Sequence, residues 1–250
     1  MLAKQLLATV KRAIKLSNTK RENAATAYDT WAHTYDDEKN NGNLTVFYND
    51  ILIAEMLQNT ALKDKIVLDI GAGTGRHYPA LKVLQPKKYI ACDVSDGMLQ
   101  KFNAKFPEAE THLITENTLN FANDKSVDVL FSSLTIGHVQ HIDAFLQEWN
   151  RVLAFNGTVL LTLFHPSLSH LKEARSFKDA HENLHIIEHY EHNVVYLKKR
   201  FATLSWEVIS FSEKEIDSLC FPLLTKMNLQ QQYDAIVGKK IVCGFLLRKK

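Results

Sequence analysis

The sequence predicts an α/β fold built on a mostly parallel sheet, on three observations. Five short apolar runs alternate with helix-like stretches, the pattern of βαβ units. The runs are apolar almost throughout, as strands covered on both faces are. The chain's 250 residues hold only nine glycines, about half the usual share of roughly 7%, yet Gly71, Gly73 and Gly75 fall within five residues, directly after the first run.

Taken in order, the N-terminus is basic. Lys4, Lys11, Arg12, Lys15, Lys20 and Arg21 precede the first acid, Glu22, and Leu6, Leu7, Val10 and Ile14 lie at helical spacing. A transit peptide or a membrane-surface helix shares these features but needs more continuous apolar surface. A solvated helix leading into the domain is therefore expected.

Residues 44–60 read as a helix, with Leu44, Phe47, Ile51, Ala54 and Leu57 at 3–4 spacing. Strands follow at Ile66–Ile70, Tyr89–Cys92, Thr111–Ile114, Val127–Phe131 and Thr158–Leu163, with helices predicted over 76–84, 96–105 and 142–153 between them. Residues 165–192 are polar, rich in histidine and without a clear period. They read as an insertion over the open edge of the sheet. A helix over 193–204 and strands at Trp206–Phe211 and Lys240–Leu247 complete the chain. No internal repeat or linker divides it.

Composition narrows the function. Apolar residues at 46% and charged residues at 23% describe a globular protein. The net charge of +2 lacks the basic footprint of a nucleic-acid binder, so no nucleic-acid partner is expected. No uncharged apolar run nears the ~18 residues of a membrane span, so no integral membrane segment is expected. Cys92, Cys220 and Cys243 are far apart, odd in number and free of any CxxC pair, which suits a reducing cytoplasm.

The stretch from Val67 to Arg76 is a strand, a glycine turn and a helix start. Glycine permits positive φ and close approach of a ligand, and a helix start offers free N–H groups to an anion. The turn should therefore cradle a nucleotide-like ligand. The dinucleotide fingerprint G-x-G-x-x-G would need glycine at Arg76; here the third glycine comes one residue earlier, behind Asp69. Asp93 ends the next strand, 22 residues beyond Gly71, where an acid can accept hydrogen bonds from ribose hydroxyls.

Asp69-Ile70-Gly71-Ala72-Gly73-Thr74-Gly75, followed by Asp93-Val94-Ser95-Asp96-Gly97-Met98-Leu99, resembles the class I S-adenosylmethionine-dependent methyltransferases. The resemblance extends to Phe131-Ser132-Ser133-Leu134. It continues in Glu148-Trp149-Asn150-Arg151-Val152-Leu153, similar to the family's E-x-x-R-V-L turn, and in Tyr28-Asp29-Thr30-Trp31-Ala32-His33-Thr34-Tyr35-Asp36, similar to its Y-D-x-x-A-x-x-Y-D lead-in.

The resemblance implies a Rossmann-like sheet of seven strands, mostly parallel with the last antiparallel, helices on both faces and an N-terminal helical lid. The lid would span residues 1–60 and the methyltransferase domain 61–250, with the insertion at about 165–192. S-adenosylmethionine would be the cofactor. Gly71 and Gly73 would meet its methionine part, Asp93 its ribose, and Val94 and Met98 its adenine. Asp69, Ala72 and Ser132 complete the expected contacts. Glu116 and Asn117 stand where the family's adenine-amino contact falls, with the acid displaced from its usual place. Tyr28 and Tyr35 in the lid would cover the sulfonium, since aromatic faces attract cations.

The methyl acceptor calls for alignment and, for a hydroxyl, phenol or amine, a base. Eight of the eleven histidines lie between His138 and His192. Phe164-His165-Pro166 and Tyr190-Glu191-His192 resemble a small-molecule subset of the family, so His165 and His192 are the expected catalytic residues. Val237-Gly238-Lys239-Lys240-Ile241 resembles that subset's closing turn, with Lys240 in place of a proline. His181, His185, His189 and His192 would line one face of a helix as metal ligands do, but no cysteine joins them, and Ile186, Ile187 and Tyr190 fit a strand as well. No metal is expected.

The expected function is methylation of a small organic acceptor at oxygen or nitrogen. Two alternatives stand beside it: carboxyl methylation of a carrier-protein-bound acid, as in the malonyl-carrier methyltransferases of biotin synthesis, and a non-catalytic binding module. Ser132-Ser133-Leu134-Thr135 stands where an NPPY-type tetrapeptide would serve amino-nitrogen methylation of bases, which disfavours that chemistry.

Overall fold

A computed structural model describes residues 21–40, 43–115, 118–168 and 176–250. The basic N-terminal stretch, Glu116, Asn117 and His170 lie outside the described residues.

The main sheet has seven strands: β2 (Ile66–Ile70), β3 (Lys88–Asp93), β4 (Glu110–Leu113), β5 (Val127–Ser133), β6 (Leu153–Phe164), β9 (Trp206–Glu215) and β10 (Lys240–Lys249). Their order across the sheet is β4-β3-β2-β5-β6-β10-β9. The first five are parallel, and β10 runs antiparallel to both β6 and β9. The order reverses between β2 and β5, which makes their carboxyl ends the switch point where open α/β sheets bind ligands.

The period-two alternation of a strand splits the core between the two faces. Leu68 and Ile70 of β2 enter one cluster and Val67 the other. Helices α6 (Ile142–Val152) and α7 (Val194–Thr203) cover the first face with Phe145, Leu146, Trp149, Leu197 and Phe201. Helices α3 (Leu44–Gln58) and α4 (Tyr78–Lys82) cover the second with Tyr48, Leu52, Met56 and Leu81, joined by Phe102 of α5 (Asp96–Lys105).

Several elements differ from their expected bounds for local reasons. The helix expected over 76–84 is only Tyr78–Lys82, because the glycine turn runs on through His77, with Tyr78 N donating to Gly75 O at 3.2 Å. Strand β9 continues four residues beyond Phe211, since Ser212–Glu215 pair with β10. Residues 216–239 hold two short helices, α8 (Phe221–Lys226) and α9 (Tyr233–Ile236), where no period is legible.

The insertion over 165–192 contains β7 (Ser176–Lys178) and β8 (Leu184–Ile187), an antiparallel pair that binds the N-terminal strand β1 (Arg21–Glu22) in a second, three-stranded sheet. Arg21 pairs with Ile186 and Glu22 with Ile187. The helical face that would have aligned His181, His185, His189 and His192 is therefore not formed.

The E-x-x-R-V-L turn has a structural explanation. Arg151 grips Glu148 at 2.7 and 2.9 Å and Asp124 at 2.7 Å, and donates to the carbonyls of Ala122 (3.0 Å) and Leu119 (3.1 Å). Glu148 accepts from Leu119 N at 2.8 Å. One guanidinium thus fixes the loop that leads into β5, using the fork geometry only arginine offers.

Candidate functional site

The site is built from the carboxyl ends of β2, β3 and β5. Gly71, Gly73 and Gly75 all have positive φ (76°, 57° and 83°). A side chain at Gly71 would overlap Thr135, and one at Gly75 would strike the Phe102 ring. Gly73 differs: a Cβ there would meet nothing within 4 Å, so its backbone borders open space. Gly71 N and Ala72 N both donate to Cys92 O, at 2.9 and 3.1 Å, which pins the turn against the end of β3.

Asp93 closes the turn from the other side. One carboxylate oxygen accepts from Gly73 N at 2.8 Å and the other from Ser95 N at 3.0 Å. The residue is 7% exposed, and burial raises its pKa against the opposing pull of the Ser95, Gly73 and Val94 N–H groups. Each oxygen keeps a further acceptor position. Behind it Val94 packs against the first core cluster and Met98 is buried in the first turn of α5.

Two expected contacts sit deeper. Asp69 is 2% exposed and accepts from Tyr89 Oη at 2.5 Å; burial pushes its pKa up to about 7. Ser132 Oγ donates to Ile70 O at 3.0 Å, tying the end of β5 to the end of β2 beneath the turn.

Helices α1 (Ala24–Trp31) and α2 (Tyr35–Asn40) belong to the segment expected to act as a lid, and they bond to the glycine turn and to α5. Two of its acids fasten it. Asp29 Oδ1 accepts from Ser95 Oγ at 2.6 Å and Gly97 N at 2.9 Å. Asp36 accepts from Thr74 Oγ1 of the glycine turn at 2.6 Å and pairs with Lys105 at 2.9 Å. Between these anchors Tyr28, Trp31 and Tyr35 pack ring against ring, and Trp31 stacks on Phe177 of the small sheet at 4.7 Å. Burial raises both tyrosine pKa values, that of Tyr28 well above the usual phenol and that of Tyr35 to about 12.

The histidines are held in distinct ways. His165 and His192 both line a cavity of about 10 Å³ with Gly137, Leu163, His189 and Tyr190, room for a single water. His165 Nδ1 accepts from Ser167 N at 3.2 Å and lies 2.7 Å from Ser167 Oγ, so its proton is on Nε2, which donates to Glu213 at 2.8 Å. Glu213 is held below the usual carboxylate range by Lys240, with His165 adding to the effect. His192 is 8% exposed, and its Nε2–H faces the carbonyls of Ile136 (2.9 Å) and Val139 (3.0 Å); burial lowers its pKa.

Three further groups meet the site, and of these only His138 is placed by sequence position alone, at the carboxyl end of its strand. Asp29 and Asp36 were visible as halves of the Tyr-Asp pairs, yet the pattern does not say that the acids are the fasteners. Ser133 Oγ gathers Asn49 Nδ2 (2.9 Å), Arg76 (3.3 Å) and His77 Nε2 (3.0 Å) at the end of β5. His138, after β5, bonds Tyr28 Oη through Nε2 and Glu188 O through Nδ1, both at 3.0 Å.

The arrangement fits S-adenosylmethionine at two points. The open space over Gly73 admits a ligand against bare backbone, and Asp93 beside it offers a carboxylate to a ribose diol. Tyr28 and Tyr35, edge to face at 6.1 Å, stand on the helices bonded to this turn and to α5, and aromatic faces attract cations.

Comparison with known proteins agrees with this geometry. Residues 68–161 match the family described as a methyltransferase domain. The chain is similar to the malonyl-[acyl-carrier protein] O-methyltransferase of Xylella fastidiosa, 31% identical over 125 residues, 46% of this chain and 41% of that protein. It is equally similar to that of Yersinia pestis, 31% identical over 158 residues, 63% of this chain and 56% of that protein. Both matches leave more than two fifths of the relative's length outside the alignment. An S-adenosylmethionine-dependent methyltransferase of Mesorhizobium loti shares the fold, with a TM-score of 0.58 at 14% identity over 76% of this chain and 93% of that one. Among the described residues no helix is long and apolar enough to cross a membrane. With the glycine turn, the seven-stranded sheet and the matched domain in agreement, the chain carries a methyltransferase domain over residues 68–161 on the Rossmann-like fold of the S-adenosylmethionine-dependent methyltransferases.

Proposed function

We propose that this protein transfers the methyl group of S-adenosylmethionine to an oxygen or nitrogen of a small organic acceptor. The observation that carries the reading is the fastening of the lid onto the glycine turn: Asp36 bonds Thr74 within the turn, and Asp29 bonds the start of α5 behind Asp93. A lid so placed encloses a small site and excludes water from it.

When bound, the cofactor supplies an electrophilic methyl whose leaving group is a neutral thioether. The chain's own residues have three tasks. Gly73 and Asp93 would hold and orient the cofactor, which brings the reacting atoms into line. Tyr28 and Tyr35 would present aromatic faces to the cation and, with Trp31 packed behind them, keep water out. A base must remove the proton of a hydroxyl or amine acceptor, a contribution of about 10²–10⁴-fold.

The names of the Xylella and Yersinia relatives favour a second reading, methylation of a carrier-bound carboxylate. A carboxylate is already deprotonated, so that reaction needs no base. Incubation with methyl-labelled S-adenosylmethionine and a panel of phenols, amines, and free and carrier-bound carboxylates separates the two. Label on phenols or amines supports the first reading. Label only on carrier-bound acid supports the second, and cofactor binding with no transfer would leave a binding module.

A further inference from the structure

The base in that reaction can be sought by asking where each histidine near the strand ends keeps its lone pair. A carbonyl oxygen can only accept, and a backbone N–H can only donate, so fixed partners assign the tautomer. In His165 the lone pair is on Nδ1 and is taken by Ser167 N. In His192 the proton sits on Nε2, between two carbonyls. In His138 the proton must be on Nδ1, because its partner there is Glu188 O. The neutral ring's lone pair is then on Nε2 and receives Tyr28 Oη–H at 3.0 Å.

The position of this pair matters as much as its tautomer. His138 closes the short 3-10 turn Ile136–His138, and His138 N donates to Thr135 O at 2.9 Å. Thr135 is the residue whose side chain lies against Gly71. Tyr28 sits between the two anchors of the lid, edge-on to His138 at 5.3 Å and to Tyr35 at 6.1 Å. The pair therefore joins the lid to the switch point of the sheet, beside the glycine turn. The neighbouring His189 ring, 5.6 Å from His138, completes the surroundings on the insertion side.

We propose that Tyr28 and His138 form the proton relay of the methyl transfer, an inference that rests on the small-acceptor reading above. The acceptor's lone pair bonds to the methyl carbon as the C–S bond breaks and its electron pair stays on sulfur. The acceptor's proton passes to Tyr28 Oη while Tyr28's own proton passes to His138 Nε2. The resulting imidazolium keeps Nδ1–H on Glu188 O and returns the proton to water as product leaves. Tyr28 is suited to pass a proton and not to store a charge, since burial holds its phenol protonated. The relay is an orienter–base–hydroxyl chain of the kind that activates weak nucleophiles elsewhere.

The test combines an acceptor-free measurement with kinetics. In ¹⁵N-histidine-labelled protein, His138 should carry its proton on Nδ1, and Tyr28→Phe, which keeps the ring and removes the hydroxyl, should shift the Nε2 signal. A proton on Nε2, or an Nε2 signal indifferent to Tyr28→Phe, overturns the proposal. With a phenol or amine from the panel, Tyr28→Phe and His138→Gln should each lower kcat about 100-fold or more. KM and affinity for S-adenosylhomocysteine should stay within about threefold. The double variant should lose little more than either single one, as groups acting as a unit do. Imidazole should restore turnover to His138→Ala, which a merely structural role would not allow. A variant that keeps wild-type kcat, or that loses only cofactor affinity, overturns the relay and leaves methyl transfer standing. Transfer by the wild type to carboxylates alone also overturns it. Failure of the wild type to bind S-adenosylhomocysteine would instead sink the methyltransferase reading itself.

Discussion

Asp29 Oδ1 accepts hydrogen bonds from both Ser95 Oγ, at 2.6 Å, and Gly97 N, at 2.9 Å, so one carboxylate oxygen ties the lid to the helix that follows Asp93. Ser95 Oγ in turn caps that helix by accepting from Met98 N at 3.1 Å. Hydrogen bonds to a charged group contribute about 1.5–3 kcal/mol each. Asp29→Ala should therefore loosen the lid and weaken S-adenosylhomocysteine binding about tenfold or more by calorimetry, with faster proteolysis of the 21–44 segment. Unchanged affinity and unchanged cleavage would mean that the lid does not depend on this tie.

The glycine turn separates stability from binding. Gly73→Ala introduces about 1–2 kcal/mol of left-handed strain but no clash, while its methyl enters the open space over the turn. Gly71→Ala adds overlap with Thr135 to the same strain. Thermal melts and calorimetry should show Gly73→Ala folded but poor in cofactor binding, and Gly71→Ala the less stable of the two. The reverse order of stability would contradict the assignment of the open face.

Asp69 gives a dependence on pH whose sign is fixed. Burial pushes its carboxyl up to about 7 in the folded protein, from an ordinary value of about 3.9. The stability it contributes is fully present below about pH 4 and is lost as pH rises through about 7. At about 1.4 kcal/mol per pKa unit the loss is about 4 kcal/mol. Asp69→Asn, which can still accept from Tyr89 Oη, should remove this slope. Denaturant unfolding of both proteins between pH 4 and pH 8 should show the variant gaining on the wild type as pH rises. Parallel curves would contradict it.

Arg151→Ala should destabilise the fold by about 2–4 kcal/mol, since it leaves the carboxylates of Glu148 and Asp124 and two loop carbonyls without their shared donor. Cofactor affinity in the surviving folded fraction should stay close to wild type. A selective loss of binding would instead place this turn in the site.

The sheet was legible because four of its five parallel strands carry mostly apolar runs, and Leu68 and Val67 must both be apolar to feed opposite cores. The cradle was legible because three positive-φ positions within five residues are filled by glycine. The small sheet was not. Arg21 and Glu22 pair with Ile186 and Ile187 across more than 160 residues, and a two-residue strand leaves no period to read. The histidines divided for a similar reason. Sequence position put His138 and His165 at strand ends and resemblance singled out His165 and His192, but only the partners of each ring nitrogen show that the lone pair bonded to Tyr28 belongs to His138. Tautomers depend on contacts distant in sequence, such as Glu188 O to His138 and Ser167 N to His165, and composition carries no trace of them.

The most direct measurement is titration calorimetry of the wild type and of Asp93→Ala with S-adenosylmethionine and S-adenosylhomocysteine. Asp93 holds Gly73 N and Ser95 N at once, and in the proposed reading its remaining acceptor positions would meet the ribose. Both ligands should bind the wild type in the micromolar range, and Asp93→Ala should lose about tenfold or more. Absence of binding by the wild type at high micromolar concentration, or equal affinity in the variant, would contradict it.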